Sequence, residues 1–257
     1  MPCPICGGAA ARWSEVGEVP ILRCTLGGCG FRFFDLACWQ LVCRDADYYE
    51  DWAEASLNPG APWIRARVDI VRRFKDRGVV AELGCGIGET AIALNDAGFS
   101  VIGVEESAKA VRYLADRYPA VSWRNVNIFD FIAEQRQSFD AITMFHVLEH
   151  IPHPEKIISL SADALSQDGV VVIEVPDAGG GLARLRGRRW DYYVDRHVNY
   201  FDQRSLHRLM TSFGFRCRFL QRTYHFSFPQ GALMKDLIKG ALANLGLNSI
   251  IRTAWTR

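Results

Sequence analysis

The stretch VVAELGCGIGET, residues 79–90, contains the signals that decide the fold. Its first five residues form a short apolar run, interrupted only by Glu82, and such a run is typical of a buried parallel strand. Gly84, Gly86 and Gly88 follow at alternate positions, and a helical pattern begins directly after them. Glycines at this spacing let the chain turn sharply and let a ligand approach bare main chain at a helix N-terminus. The stretch therefore predicts a strand, a glycine turn with a ligand site, and a helix.

The charged residues near this turn indicate the kind of ligand. A loop that binds a dinucleotide has the form GxGxxG and faces a pyrophosphate, whereas this spacing is shorter and Glu82 stands before the loop. A second apolar strand over residues 100–104 leads to Glu105, where a carboxylate can accept hydrogen bonds from a ribose diol. Because carboxylates suit a cation better than a phosphate, the residues indicate a positively charged nucleoside without phosphates. S-adenosylmethionine fits that description.

With these residues the chain resembles the class I methyltransferases, whose first motif is ExGxGxG and whose second strand ends in an acidic residue. The resemblance covers residues 64–228 and implies an α/β fold with a Rossmann-like, seven-stranded, mostly parallel sheet. It also implies a set of residues that bind the methyl donor around the glycine turn and the second strand. These are Glu82, Gly84, Cys85, Gly86, Gly88, Glu105 and Glu106.

The third predicted strand covers residues 121–126. In this family the loop that follows it carries a polar residue for the adenine amino group. Asn127 is the best match, and the resemblance makes Ile128 and Phe129 the walls around the adenine ring. Asp130 is an alternative to Asn127, and the sequence leaves that choice open.

The fourth predicted strand, residues 139–145, runs into the string HVLEHIP at positions 146–152. HxxEH is also the signature of an inverted zinc protease, in which both histidines face one ion across a helical turn. Here the string begins at a strand terminus and Pro152 would soon break a helix, which disfavours that interpretation. The string resembles the corresponding motif of ubiquinone O-methyltransferases and sugar C-methyltransferases. The resemblance implies that Met144, Phe145 and His146 border the methionine moiety and the sulfur of the donor, with His146 as a catalytic candidate.

A second catalytic candidate, His197, lies in the segment before a helix that Asp202 is expected to cap. The sugar C-methyltransferases have YxEHxxY here, with the histidine proposed as a base. His197 and Tyr200 match this motif, but Arg196 stands where a glutamate is expected. His197 remains the best candidate for a general base, because imidazole titrates near working pH. A purely structural histidine is the alternative.

The N-terminal residues 1–36 contain two cysteine pairs, in CPICGG and CTLGGCGF. Each pair lies on a glycine-containing turn, so the four thiolates can point at one ion. The spacing predicts a structural zinc ribbon, which folds because the metal replaces a core that so short a segment cannot supply. The predicted ligands are Cys3, Cys6, Cys24 and Cys29. Cys38 and Cys43 repeat the spacing of the second pair without such glycines, and we interpret them as buried or incidental thiols.

The remaining segments complete the predicted organisation. Residues 37–62 form an aromatic connector, which is either core or a lid over the site, and residues 63–230 form the methyltransferase domain. Residues 215–220 and 224–228 are expected to form a closing antiparallel pair of strands. Residues 231–257 show helical spacing, so we expect a helical tail that packs on the domain or on a second copy of the chain in a homodimer.

Charge and hydropathy restrict the classes of partner. The chain has 257 residues, 30 Lys plus Arg against 29 Asp plus Glu, and therefore no global field that would attract nucleic acid. No apolar run is long enough to span a membrane, and the N-terminal residues lack a signal peptide, so we expect a cytoplasmic protein.

The resulting functional prediction is a methyltransferase that uses S-adenosylmethionine and a small-molecule acceptor, methylated on oxygen, carbon or nitrogen. The cluster Arg184, Arg186, Arg188 and Arg189 is either a solvated loop or a clamp for an acidic or phosphate-bearing substrate. One alternative is an RNA base methyltransferase, whose ribbon would need a basic face that this ribbon lacks. Another is a protein that binds the donor, and a partner, without turnover.

Overall fold

The computed structural model describes residues 1–42, 57–223 and 248–257. Strands and helices alternate through most of the chain after the ribbon, as in a doubly wound α/β domain. The strands are β1 Ala10–Val16, β2 Val19–Cys24, β3 Arg32–Phe34, β4 Val79–Leu83, β5 Ser100–Glu105, β6 Ser122–Asn125, β7 Phe139–Phe145, β8 Leu165–Pro176, β9 Asn199–Tyr200, β10 Arg216–Thr223 and β11 Ile250–Thr256. The helices are α1 Leu36–Val42, α2 Pro62–Arg72, α3 Glu89–Asp96, α4 Ala108–Arg117, α5 Ile128–Ala133, α6 Pro154–Ala164, α7 Gly181–Arg186 and α8 Gln203–Ser212.

The larger sheet has the strand order β10-β11-β8-β7-β4-β5-β6. The five strands from β6 to β8 are parallel, and β11 runs antiparallel to both β8 and β10. Apolar clusters cover both faces of this sheet, which is why β4 and β8 have long apolar runs rather than alternating ones. The predicted Rossmann-like, seven-stranded, mostly parallel sheet is confirmed.

Side-chain caps fix the start of two helices, and the sequence predicts the cap at Asp202. The hydroxyl of Ser107 accepts a hydrogen bond from the amide of Ala110 at the start of α4. Asp202 forms a capping box with Ser205 at the start of α8. These caps satisfy amides that the helices leave unpaired, and they fix where each helix begins. Among the residues that the structure covers, no helix has the length and apolar character needed to cross a membrane.

The last strand corrects the predicted C-terminal helix. β10 pairs with β11, residues 250–256, which lies between β10 and β8 and whose first six residues are buried. This segment contains β-branched residues and an aromatic residue, which favour a strand buried on both faces. The predicted partner strand, residues 224–228, and the start of the predicted helical tail lie outside the described residues.

The ribbon forms the second sheet, with the order β1-β2-β3-β9. Its fourth strand, β9, comes from a segment far along the chain, just after His197. The ribbon is therefore joined to the methyltransferase domain by main-chain pairing. This pairing was not predicted, because a strand of two residues leaves no periodic signal in the sequence.

Candidate active site

The glycine turn lies between β4 and α3, at the carboxyl edge of the sheet. Gly84, Gly86 and Gly88 all have positive φ, of 66°, 55° and 76°. A Cβ atom at Gly84 would lie 2.8 Å from Val147 Cγ2, and one at Gly88 would lie 2.6 Å from the Trp123 ring. The turn thus needs glycine both for its backbone conformation and for its close packing.

Glu105 connects this turn to the end of β5. Its Oε2 accepts a hydrogen bond from the Gly86 amide at 3.0 Å, and its Oε1 accepts one from the Ser107 amide at 3.0 Å. The side chain is buried. The structure therefore brings the predicted ribose-binding carboxylate directly against the predicted glycine turn.

The adenine-side candidates lie next to Glu105. Asn127 caps α5 by accepting from the Phe129 amide at 2.8 Å, and its Nδ2 donates to Glu106 Oε1 at 2.6 Å. Ile128 and Phe129 are half-buried against the core, whereas Asp130 is exposed. Of the two polar alternatives, Asn127 is the one that lies beside the end of β5.

Asn125 holds the turn after β5, and the sequence did not single it out. Its Nδ2 donates to the carbonyl oxygens of Glu105 and Glu106, at 3.1 and 2.7 Å. These bonds fix the main chain of both acidic residues relative to the neighbouring strand. No local pattern marks this asparagine, because its partners belong to another strand.

Glu82 is a buried carboxylic acid at the carboxyl end of β4. Burial raises its pKa to about 8, although the charge of Arg67 and a hydrogen bond from Thr90 lower it. Its Oε2 has no hydrogen-bond partner among the described residues. A buried acceptor without a partner, beside a turn of bare main chain, suits a ligand that carries positive charge. The residues present therefore fit a sulfonium nucleoside.

His146 adopts a left-handed conformation, with φ at 56°, directly after β7. Its Nδ1 lies 3.1 Å from Glu149 Oε1, and its Nε2 lies 3.2 Å from Glu174 Oε1. Burial lowers the pKa of His146, but the hydrogen bonds and charges of both carboxylates outweigh this effect and raise it to about 9. At neutral pH this imidazole is therefore protonated and cannot serve as a base. A non-glycine residue in this backbone region is strained, a feature that is common at functional sites.

Glu174 lies at the centre of a buried ion-pair network that the sequence did not reveal. Its carboxylate is 3.1 Å from Arg67 Nε, it pairs with Arg252, and its backbone oxygen accepts from the His146 amide at 2.9 Å. Burial raises the pKa of Glu174, but Arg67, His146 and Arg252 hold it well below its usual value. The network ties α2, β8 and β11 to the loop after β7.

The two residues before His146 take different positions. Met144 is fully buried in the apolar core. Phe145 is nearly buried, and the guanidinium of Arg67 lies 4.6 Å from the centre of its ring. The alternation follows from the strand, since successive side chains point to opposite faces of the sheet.

His197 lies beside His150 and Glu149, and the available ligand atoms of the three residues are all within 4.8 Å of one another. His197 Nδ1 is 3.0 Å from the Tyr192 carbonyl oxygen, and His150 Nδ1 is 2.9 Å from the Arg196 carbonyl oxygen. Carbonyl oxygens only accept, so each Nδ1 carries a proton. These atoms converge as ligands of a divalent cation do, and they can equally pass a proton.

The carboxylate missing from the string at Arg196 is supplied from elsewhere in the chain. Glu149, on the loop after β7, faces His197, and its Oε2 is buried without a hydrogen-bond partner among the described residues. Burial lowers the pKa of His197 to about 4, against the raising effect of Glu149. His197 is therefore a neutral imidazole at pH 7, and its Nε2 carries the lone pair.

The four predicted ribbon cysteines converge. Cys3 and Cys29 have sulfurs 3.9 Å apart, Cys6 and Cys24 have sulfurs 3.5 Å apart, and all four sulfurs lie within 4.8 Å of one another. Four thiolates at about 2.3 Å from one tetrahedral zinc ion would be about 3.8 Å apart, so the set fits zinc. Cys38 lies on α1 away from this cluster, and Cys43 lies outside the described residues.

The arginine cluster lies after β8, on α7 and the turn that follows it. All four arginines are exposed. Arg186 pairs with Asp191, and the guanidinium of Arg188 lies 5.8 Å from the centre of the Trp13 ring in the ribbon. The cluster thus lies where the domain meets the ribbon.

Comparison with known proteins agrees with this geometry. Residues 59–218, more than half of the chain, match the family model described as a methyltransferase domain. The chain is 30% identical over 113 residues to a ubiquinone biosynthesis O-methyltransferase of Thiobacillus denitrificans, and the match covers 42% of this chain and 47% of that protein. A similar protein from Glaesserella parasuis is 28% identical over 102 residues, covering 37% of this chain and 43% of its own length. The chain thus spans less than half the length of these relatives.

Solved structures share the fold at low sequence identity. The 1,6-didemethyltoxoflavin-N1-methyltransferase of Burkholderia thailandensis, solved with bound 1,6-didemethyltoxoflavin and S-adenosylhomocysteine, superposes with a TM-score of 0.57. The identity is 17%, and the match covers 96% of this chain and 99% of that one. An S-adenosylmethionine-dependent methyltransferase of Archaeoglobus fulgidus gives a TM-score of 0.56 at 17% identity over 76% of this chain and 94% of its own. Because the family model covers more than half of the chain, the chain belongs to the methyltransferase domain family.

Proposed function

We propose that this protein methylates a hydroxyl group of a small organic acceptor, with His197 as the general base. The observation that supports this proposal best is the orientation of that imidazole. Its Nδ1 is held by the Tyr192 carbonyl oxygen at 3.0 Å, so Nε2 is the atom left to accept a proton. The imidazole is unprotonated at pH 7, and the charge of Glu149 favours the imidazolium that forms when it accepts a proton.

The donor side is assigned to the residues around the glycine turn. Glu105 would accept hydrogen bonds from the ribose, and Glu106 with Asn127 would border the adenine. Glu82 would face positive charge, and His146 would lie near the methionine moiety. When bound, S-adenosylmethionine supplies a methyl group on a positively charged sulfur, so the protein mainly has to align the reacting atoms.

In the proposed reaction the acceptor oxygen forms a bond to the methyl carbon as the bond from that carbon to sulfur breaks. His197 Nε2 takes the hydroxyl proton, and Glu149 stabilises the resulting imidazolium. The carboxylate of Glu149 lies close to the imidazole of His197, because ligand atoms of the two side chains are within 4.8 Å of each other. The positive charge that leaves the sulfur therefore reappears on an imidazole beside a buried carboxylate.

Oxygen is preferred over carbon or nitrogen because the relatives from Thiobacillus denitrificans and Glaesserella parasuis are named as O-methyltransferases. Three of the four clustered arginines lack an ion pair among the described residues, which supports an acceptor that bears a carboxylate or phosphate. The four ribbon cysteines hold structural zinc in this proposal.

The test is a screen with isotopically labelled donor of phenols, catechols and hydroxy acids, with amines and carbon acids included for comparison. Each hydroxyl compound is tested with and without a carboxylate or phosphate substituent. For an accepted compound, His197→Gln should lower kcat by about 10²–10⁴-fold while donor affinity stays unchanged. His207→Gln, which alters an exposed histidine on α8, is the matched control and should retain activity. Transfer to nitrogen or carbon acceptors alone, or full activity of His197→Gln, would refute the proposal.

A further inference from the structure

The ribbon shares a sheet with the segment that carries His197. We call residues 190–201 the acceptor segment. In β9, Tyr200 pairs with Arg32 of β3, and the Phe34 amide donates to the Val198 carbonyl oxygen at 2.9 Å. The acceptor segment is therefore held by the main chain of the ribbon on the C-terminal side of His197.

Arg32 makes the most specific contacts between the two parts. Its Nη2 donates to the Ala178 carbonyl oxygen at 2.8 Å, and its Nη1 donates to the Tyr193 hydroxyl. The guanidinium lies 4.9 Å from the centre of the Trp13 ring, and that ring lies 5.4 Å from the Tyr193 ring. One ribbon side chain thus connects the end of β8, the acceptor segment and β1.

Apolar packing continues from the cysteine cluster into the domain. The rings of Phe31 and Phe201 are 5.1 Å apart. On the other side of the acceptor segment, the indole of Trp39 in α1 donates to the Asp195 carbonyl oxygen at 2.7 Å. One continuous apolar cluster includes ribbon and domain residues, among them Cys3, Cys24, Cys29, Phe31, Phe201 and Leu206.

The donor-side residues are held differently. The hydrogen bonds of Glu105 run to Gly86 and Ser107, and Asn127 bonds to Glu106 and Phe129. All these partners lie within residues 86–129, which belong to the larger sheet and its helices. The hydrogen bonds that hold the two halves of the site thus involve different parts of the chain.

We infer that the ribbon is the positioning element of the acceptor half of the site, and that its bound metal keeps the imidazole of His197 in place. This inference rests on the proposed function, because it takes zinc as the ribbon ligand and His197 as the residue that faces the acceptor. Without the metal, the four thiolates no longer hold the turn before β1 against the turn that joins β2 to β3. Arg32 and β3 would then release the acceptor segment, and the donor half would keep its structure.

The first experiment leaves the cysteines intact. Arg32→Met should raise hydrogen exchange of peptides from the acceptor segment about tenfold, because a charge-assisted hydrogen bond and its packing are lost. Histidine-selective ¹⁵N spectra should show that His197 no longer occupies a single Nδ1-protonated form. Donor affinity measured by calorimetry should change less than about twofold, as expected for a distant site. Arg12→Met, which removes an exposed ribbon arginine, is the matched control and should leave exchange and spectra unchanged.

The second experiment removes the metal from the protein with a chelator and repeats the three measurements of exchange, histidine spectra and donor affinity. Raised exchange in residues 190–201, with protected residues 79–105 and unchanged donor affinity, would support the inference. Unchanged exchange in the acceptor segment after metal loss would overturn it. A loss of donor affinity that accompanies the raised exchange would also overturn the inference, because the ribbon would then support both the donor half and the acceptor half of the site. The spectra of His197 do not depend on turnover, so failure of the proposed reaction would be seen separately.

Discussion

Glu82 should link donor binding to the release of a proton. Burial raises the pKa of this carboxyl to about 8, in spite of Arg67 and Thr90. At pH 7 about 0.9 proton should therefore reside on Glu82 in the free protein. A cation bound beside Glu82 should lower that pKa below 7, because opposite charge favours the ionised form. Binding of S-adenosylmethionine at pH 7 should then release up to about 0.9 proton per chain.

The same pKa shift fixes how stability depends on pH. The pKa of Glu82 is 4.5 in the unfolded chain and about 8 in the folded protein, so the folded protein holds this proton more tightly. Its contribution to stability is complete below pH 4.5 and is lost as the pH rises through 8. At pH 7 the loss is about 3 kcal/mol. Glu82→Gln should flatten this part of the curve of unfolding free energy against pH.

Calorimetry in two buffers of different ionisation enthalpy measures the proton directly. The apparent binding enthalpy of the donor at pH 7 should differ between the buffers by up to about 0.9 times the difference in their ionisation enthalpies. The difference should vanish in Glu82→Gln and persist in Glu134→Gln, which alters an exposed glutamate. A wild-type enthalpy that is independent of buffer would show that Glu82 does not face the donor's charge.

Further changes test the turn, the ion-pair network and the ribbon. Gly86→Val places a β-branched residue at a φ of 55° and fills the turn, so a folded variant should show no donor binding by calorimetry, and unchanged affinity would contradict the cofactor assignment. Glu174→Gln leaves buried cations without their counter-charge and should lower the free energy of unfolding in urea by about 3–5 kcal/mol. Glu106→Gln, its exposed control, should stay within about 0.5 kcal/mol. Metal analysis should find one zinc per chain in the wild type and none in Cys24→Ser, and a folded, metal-free wild type would exclude the ribbon assignment.

The donor half of the site could be predicted from the sequence because its parts are local. The strand, the glycine turn and the start of the helix occupy twelve consecutive residues, and Glu105 ends the next strand along the chain. Parallel neighbouring strands bring their carboxyl ends to one edge, so order along the chain becomes proximity in space. The cysteine pairs were equally predictable, since thiolates at such spacing serve a single ion.

The acceptor half could not be predicted in this way. In the sequence, Arg67 is an ordinary polar position of a predicted helix, and Glu174 is a single acidic residue in an apolar strand. The fold brings Arg67 Nε within 3.1 Å of Glu174 Oε1. The carboxylate beside His197 comes from Glu149, on a different segment from the one that the family motif would indicate. The strand at residues 250–256 was mistaken for helix because its pairing partners, β8 and β10, are distant in sequence.

The position of β11 has a consequence for biosynthesis. Because residues 250–256 insert between β8 and β10, the sheet cannot close while the ribosome is still translating the codons before them. Until then β8 has an open edge and Glu174 lacks Arg252, which is one of its buried counter-ions. A nascent chain would have to wait, partly assembled and prone to aggregation, for the arrival of this single strand.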